Sequence, residues 1–93
     1  MTRPTAISRE AAESLAIQVL AFIASDAERI GPFLATTGIG PEAIRAAARQ
    51  PDFLAGVLDY LTGDETLLVA FATEAGINPF DIAAARARLA ENQ

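Results

Sequence analysis

The chain contains no cysteine, no histidine, no tryptophan and, among its seven basic residues, no lysine. Each absence closes a route to function. Without cysteine there is neither a disulfide framework nor a thiolate nucleophile, and without histidine there is no imidazole to move protons or hold a metal near neutral pH. Ser-His, Cys-His and Ser-Lys nucleophile arrangements are all excluded, so the hydroxyls of Ser8, Ser14, Ser25, Thr36, Thr37 and Tyr60 have no basic side chain to activate them. Aromatic residues make up only 6% of the chain and runs of β-branched residues are missing, which disfavours sheets. The longest apolar stretch, LAIQVLAFIA at residues 15–24, is interrupted by Gln18. It is about half the ~20 apolar residues a membrane-spanning helix needs. The opening MTRPTAISRE has no apolar stretch behind its arginine, as a signal peptide would, so the expected location is cytoplasmic, with no membrane contact. The net charge of −5 removes the attraction a phosphate backbone would require, so nucleic acid is not an expected partner.

What is present is alanine and leucine. Of the 93 residues, 52% are apolar, and alanine is the commonest type, which suits helices that approach one another closely. A chain of this length makes one domain, residues 1–93, and buries only about 60–65% of its unfolded surface. Its core has to be economical.

Setting residues 16–50 against 54–88, an offset of 38 with no gap, pairs Val19 with Val57, Leu20 with Leu58, Asp26 with Asp64 and Phe33 with Phe71. The same offset pairs Gly38 with Gly76, Ile39 with Ile77, Pro41 with Pro79 and Ile44 with Ile82, and sets Phe22 over Tyr60 and Ile23 over Leu61. An Asp, a Phe and a Gly-Ile-x-Pro block falling together indicate an internal duplication. Each shared residue has a backbone task. Asp26 and Asp64 fit helix N-caps, Gly38 and Gly76 fit left-handed helix stops, and Pro41 and Pro79 fit first helical positions, with Gly40 and Asn78 as caps. The spacing predicts helices near 8–24, 26–37, 41–49, 51–62, 64–75 and 79–91. Pro51 opens the fourth, and Pro32 is expected to kink or split the second. Ala12, Leu15, Ala16, Val19, Leu20 and Ile23 follow helical spacing, as do Phe53, Leu54, Val57, Leu58 and Leu61. The expected fold is all-α: a compact bundle of about six short helices, built as two three-helix repeats related by an approximate two-fold.

FLATTG at 33–38, then PDFLAGVLDYLTGDE at 51–65 and a second Phe and Gly, resemble a small bacterial family of roughly ninety-residue proteins, domain of unknown function 3572. The shared pattern falls on Phe33, Leu34, Gly38, Phe53, Leu54, Val57, Leu58, Asp59, Tyr60, Leu61, Asp64 and Glu65 and covers most of the chain. Members often have an aromatic shortly after the acidic pair, where this chain has TLLV at 66–69. The resemblance implies no catalytic residue.

Asp59 stands between Leu58 and Tyr60 in an otherwise apolar segment. It is expected to be largely buried, paired with an arginine such as Arg45 or Arg49 or bonded to a helix end, because a buried carboxylate must be paired or shift its pKa. The other reading, a functional acid beside Asp64 and Glu65, lacks the alternating oxygen ligands a cation loop uses, so no metal or cofactor is expected. Arg45 with Arg49, and Arg86 with Arg88, read as solvated faces near helix C-termini or as sites for an acidic partner. TLLVAFA at 66–72 places apolar residues on more than one face of the fifth helix, and Phe80 follows Pro79 in the first turn of the sixth. The expected function is non-catalytic: a helical protein–protein interaction module, self-associating or binding a larger protein. Leu67, Val69 and Phe80 would be its anchors and Arg86 and Arg88 its charged rim. The alternative is a carrier of a small apolar ligand held between the two halves.

Overall fold

A computed structural model describes residues 7–91. Six α-helices lie among them: α1 (Arg9–Ala24), α2 (Ala27–Thr37), α3 (Ile44–Ala47), α4 (Pro51–Thr62), α5 (Glu65–Ala75) and α6 (Pro79–Ala90). No strand occurs among the described residues. The fold is all-α, and the helix boundaries follow the punctuation of the sequence.

Helices start where a side chain captures an orphan amide. The Ser8 hydroxyl accepts from the Ala11 N–H at 3.0 Å, Asp26 Oδ1 from Glu28 N–H at 2.8 Å, Asp64 Oδ1 from Leu67 N–H at 3.1 Å and Asn78 Oδ1 from Phe80 N–H at 2.8 Å. Pro51 and Pro79 take the first positions of α4 and α6. α2 and α5 stop at Gly38 (φ 73°) and Gly76 (φ 67°), the only described residues with positive φ. Each stop returns its amide to a carbonyl four residues back, Leu34 and Ala72 respectively.

Two expectations need correction. Of the two outcomes expected at Pro32, a kink or a split, the split does not occur: α2 runs uninterrupted from Ala27 to Thr37 with the proline inside. Glu28, whose carbonyl loses its helical donor at Pro32, is exposed together with Gly31 and Pro32, so water can serve that carbonyl. The third helix, expected over 41–49, is instead a 3₁₀ turn (Pro41–Ala43) followed by the single turn of α3. Pro51 forces Gln50 into an extended conformation (φ −97°, ψ 122°), and the helix has to end before it.

Three helices make the core. α1, α4 and α6 pack on one another, while α2 leans mainly on α1 and α5 mainly on α4. α1 buries Ala12, Leu15, Ala16, Val19, Leu20, Phe22 and Ile23; α4 buries Leu54, Val57, Leu58 and Leu61; α6 buries Ile82, Ala85 and Leu89. The periodic positions read from α1 are all inside, and those of α4 are inside except Phe53, which is half-buried. α2 and α5 each bury a single side chain fully, Phe33 and Phe71.

These two phenylalanines cross between the halves of the sequence. The Phe33 ring meets Tyr60 of α4 edge-on at 5.1 Å between centroids and Phe53 at 6.1 Å, and the Phe71 ring meets Phe22 of α1 edge-on at 5.3 Å. Adding 38 to Phe33 and subtracting it from Tyr60 converts the first contact into the last, so the two contacts correspond in the sequence offset. The third helices do not. α6 packs against both α1 and α4, and α3 has no comparable seat on either, so the expected two-fold does not extend over the whole bundle.

Phe33→Ala is expected to cost about 3–5 kcal/mol in a urea titration, the range for emptying a buried aromatic site. Gly38→Ala and Gly76→Ala should each cost on the order of 1 kcal/mol through backbone strain alone. An added Cβ at either glycine meets nothing within 4 Å. Unchanged midpoints in both alanine variants would remove the left-handed stop as a stabilising feature.

Candidate functional site

Asp59 is not buried. Its side chain is 57% exposed, and its carboxylate bonds the Arg86 guanidinium of α6 rather than Arg45 or Arg49. The reason is helical phase: Asp59 adjoins Leu58 and Tyr60 in sequence but lies about 140° around α4 from Leu54. It faces away from the core. No ion pair involving Arg45 or Arg49 forms among the described residues, whereas Arg9 pairs with Glu13, Arg29 with Asp26 and Arg88 with Glu91. No group of three potential metal ligands occurs among the described residues.

The five expected partner contacts separate into two kinds. Phe80 is 81% exposed in the first turn of α6 and Val69 is 54% exposed on α5. Leu67 is partly buried and packs against the core, which leaves it a smaller role as an anchor. Arg86 is engaged by Asp59, and the Arg88 guanidinium donates to Glu91 at 3.1 Å. Two residues apart on one helix, Arg86 and Arg88 point to different sides, so they do not make one rim. α5 and α6, which carry Val69 and Phe80, turn by 110° relative to each other.

Two open grooves lie on the surface. One, of about 240 Å³, runs between α4 and α6 and is lined by Asp52, Ala55, Gly56, Asp59 and Ala90. The other, of about 340 Å³, lies between α1 and α5 and is lined by Gln18, Ala21, Phe22, Phe71, Glu74 and Ala75. Ligand pockets are typically about 300–1,000 Å³ and enclose most of the ligand, so both grooves suit a protruding side chain better than an enclosed small molecule. Beside the second groove the Arg29 guanidinium lies over the Phe22 ring, 4.0 Å from its centroid, and closes the edge of the aromatic pair.

Sequence reasoning missed Ile17, a large apolar side chain of α1 that is 47% exposed. A signal for it exists. Ile17 is the one β-branched residue of α1 that falls outside the periodic set Ala12, Leu15, Ala16, Val19, Leu20 and Ile23.

No single helix among the described residues is long and apolar enough to cross a membrane. Because Asp59 and Arg86 are both about half exposed, Asp59→Ala is expected to change stability by no more than about 1 kcal/mol. Chemical denaturation of the single variants and of the double variant with Arg86→Ala measures the coupling directly. A loss several times larger would mean that the pair is far better shielded than its exposure indicates.

Neither the curated proteins nor the solved structures contain a match to this chain. A family model does match, over residues 9–92, under the description "Protein of unknown function (DUF3572)". It spans the whole helical bundle from α1 to the end of α6, so the chain belongs to this family.

Proposed function

We propose that the chain is a non-catalytic helical module that works by presenting surface to another polypeptide, in the cytoplasm. The observation that carries this reading is the exposure of Phe80, 81% accessible at the start of a helix whose other large apolar residues are inside. Hydrating a phenylalanine forgoes roughly 1.5–3 kcal/mol of burial, and a protein that binds through it recovers that energy in the complex. Val69, also apolar and more than half exposed, adds a second anchor on the neighbouring helix. The chemistry available points the same way, because the chain lacks histidine, cysteine and lysine and its acids do not gather around one site.

A second reading has one observation in its favour. The larger groove lies between α1 of the first half and α5 of the second, where a small apolar ligand would have to sit. Its open shape favours the protein-binding reading over this one.

Phe80→Glu and Val69→Glu are expected to abolish association with the protein's partner while leaving the thermal midpoint within a few degrees of wild type, since neither side chain supports the core. Analytical ultracentrifugation alone and with captured partner reads the association, and circular dichroism the fold. Retention of partner binding in both variants would overturn the assignment of this surface. Turnover of a small molecule by the purified chain would overturn the non-catalytic reading.

A further inference from the structure

Residues 26–50 are lightly fastened to the rest of the molecule. They place one fully buried side chain in the core, Phe33, while the 3₁₀ turn and α3 bury none. The other apolar side chains that this segment leans on the core are half-buried: Ile30 and Leu34 on α2, Ile44 and Ala48 beyond it. The Arg29 guanidinium over Phe22 is a further attachment, at the surface, to α1. Several polar contacts of α2 travel with the segment, since Asp26 caps the helix and pairs with Arg29 at 3.7 Å and the Thr37 hydroxyl donates to the Phe33 carbonyl at 2.9 Å. α5 also buries one side chain, but it packs on both α4 and α6, whereas α2 has α1 as its main support.

The flanking helices are finished without this segment. α1 closes on itself, with the Ser25 N–H bonded to the Ala21 carbonyl at 3.0 Å and the Ser25 hydroxyl donating to the Phe22 carbonyl at 2.9 Å. α4 opens on Pro51, which has no amide to satisfy. From Gly38 to Gln50 the chain contains a second glycine, Gly40, and no fully buried residue, so it supplies slack for α2 to leave while both neighbours stay.

We propose that α2 is a releasable strap, which leaves the core of α1, α4 and α6 as one unit when the Phe33 ring withdraws from Phe53 and Tyr60. Phe33 meets those two half-buried rings edge-on at 6.1 and 5.1 Å, so both lose their cover in the same step and an aromatic surface of α4 opens to solvent. Once detached, α2 does not persist as a helix. Its 11 residues fall short of the ~12–15 an isolated helix needs, and Gly31 and Pro32 weaken it further. Opening therefore exposes its amides. The helices that stay pack on one another and hold every fully buried side chain of the described core except Phe33 and Phe71. The strap requires nothing of Phe80 or Val69, so it stands or falls apart from the partner surface proposed above.

Hydrogen exchange of the ¹⁵N-labelled chain, measured in a series of urea concentrations below the unfolding transition, tests the strap. The amides from Phe33 to Gly38 are expected to share one opening free energy and to exchange at least about tenfold faster than the slowest amides of α1, α4 and α6. Their urea dependence should be shallower, because opening α2 alone exposes less surface than unfolding the whole chain. Phe33→Leu should accelerate exchange at these amides by a common factor. The same free energy and urea slope in α2 as in α1, α4 and α6 would overturn the proposal. So would α5 amides that open in the same step as α2, or α2 amides that exchange one by one without response to Phe33→Leu. Should that variant not fold, the wild-type exchange pattern decides by itself.

Discussion

Two phenylalanine rings hold the peripheral helices to the core, and the rest of the architecture depends on where they land. α2 and α5 each bury one side chain completely, Phe33 and Phe71, and each of those rings packs edge-on against an aromatic from the opposite half of the chain. An edge-to-face pair adds about 0.5–1.5 kcal/mol beyond the area it buries, and its greater consequence here is geometric. A ring that must present its edge to a particular neighbour fixes the rotation of its helix. That rotation places the capped N-terminus at Asp26 or Asp64 and the glycine stop at Gly38 or Gly76, so the connections to the next helices follow from it. Phe33–Tyr60 and Phe71–Phe22 are both edge-on pairs between the two halves of the sequence.

The two halves of the sequence end differently. After Gly76 the chain has twelve helical residues, Pro79–Ala90, and α6 places Ile82, Ala85 and Leu89 between α1 and α4. After Gly38 it has only until Gln50, because Pro51 imposes an extended residue before it and then starts α4. Four residues of α3 cannot bury a comparable stripe. The bundle is consequently thin, 17 Å along its shortest axis, room for two helix layers at the usual 8–10 Å spacing. Ile17 of α1 stands 47% exposed among the described residues.

Much of this was legible in the sequence, because caps, stops and proline starts are local and backbone geometry sets them wherever they occur. Asp64 caps α5 and Gly76 ends it for reasons contained within a few residues, and five of the six helices, all but α3, lie close to where spacing placed them. Legibility failed where an outcome depended on phase or on what lies across the bundle. Asp59 looked buried because its sequence neighbours are apolar, yet neighbours in a helix point in different directions, and the same wheel that correctly put Leu54, Leu58 and Leu61 inside puts Asp59 outside. Its partner Arg86, 27 residues away, was identifiable only once α6 was known to lie along α4. Leu67 and Val69 stand two apart in a segment that reads as uniformly apolar, and only packing against the core separates the half-buried residue from the exposed one. The exposure of Phe80 was a weak signal in sequence and a clear one in structure.

The proposed anchor Val69 and the groove between α1 and α5 share one helix, α5, which carries Val69 as well as Phe71, Glu74 and Ala75. This is also the helix with little of its own holding it in place. It buries one side chain fully where α1 buries seven and α4 four, and local opening costs least where few apolar contacts have to be broken. α2, which also buries one side chain fully, shares this condition, and α3 buries none. In a core as small as this one, a surface for partners and a source of stability need not be separate regions.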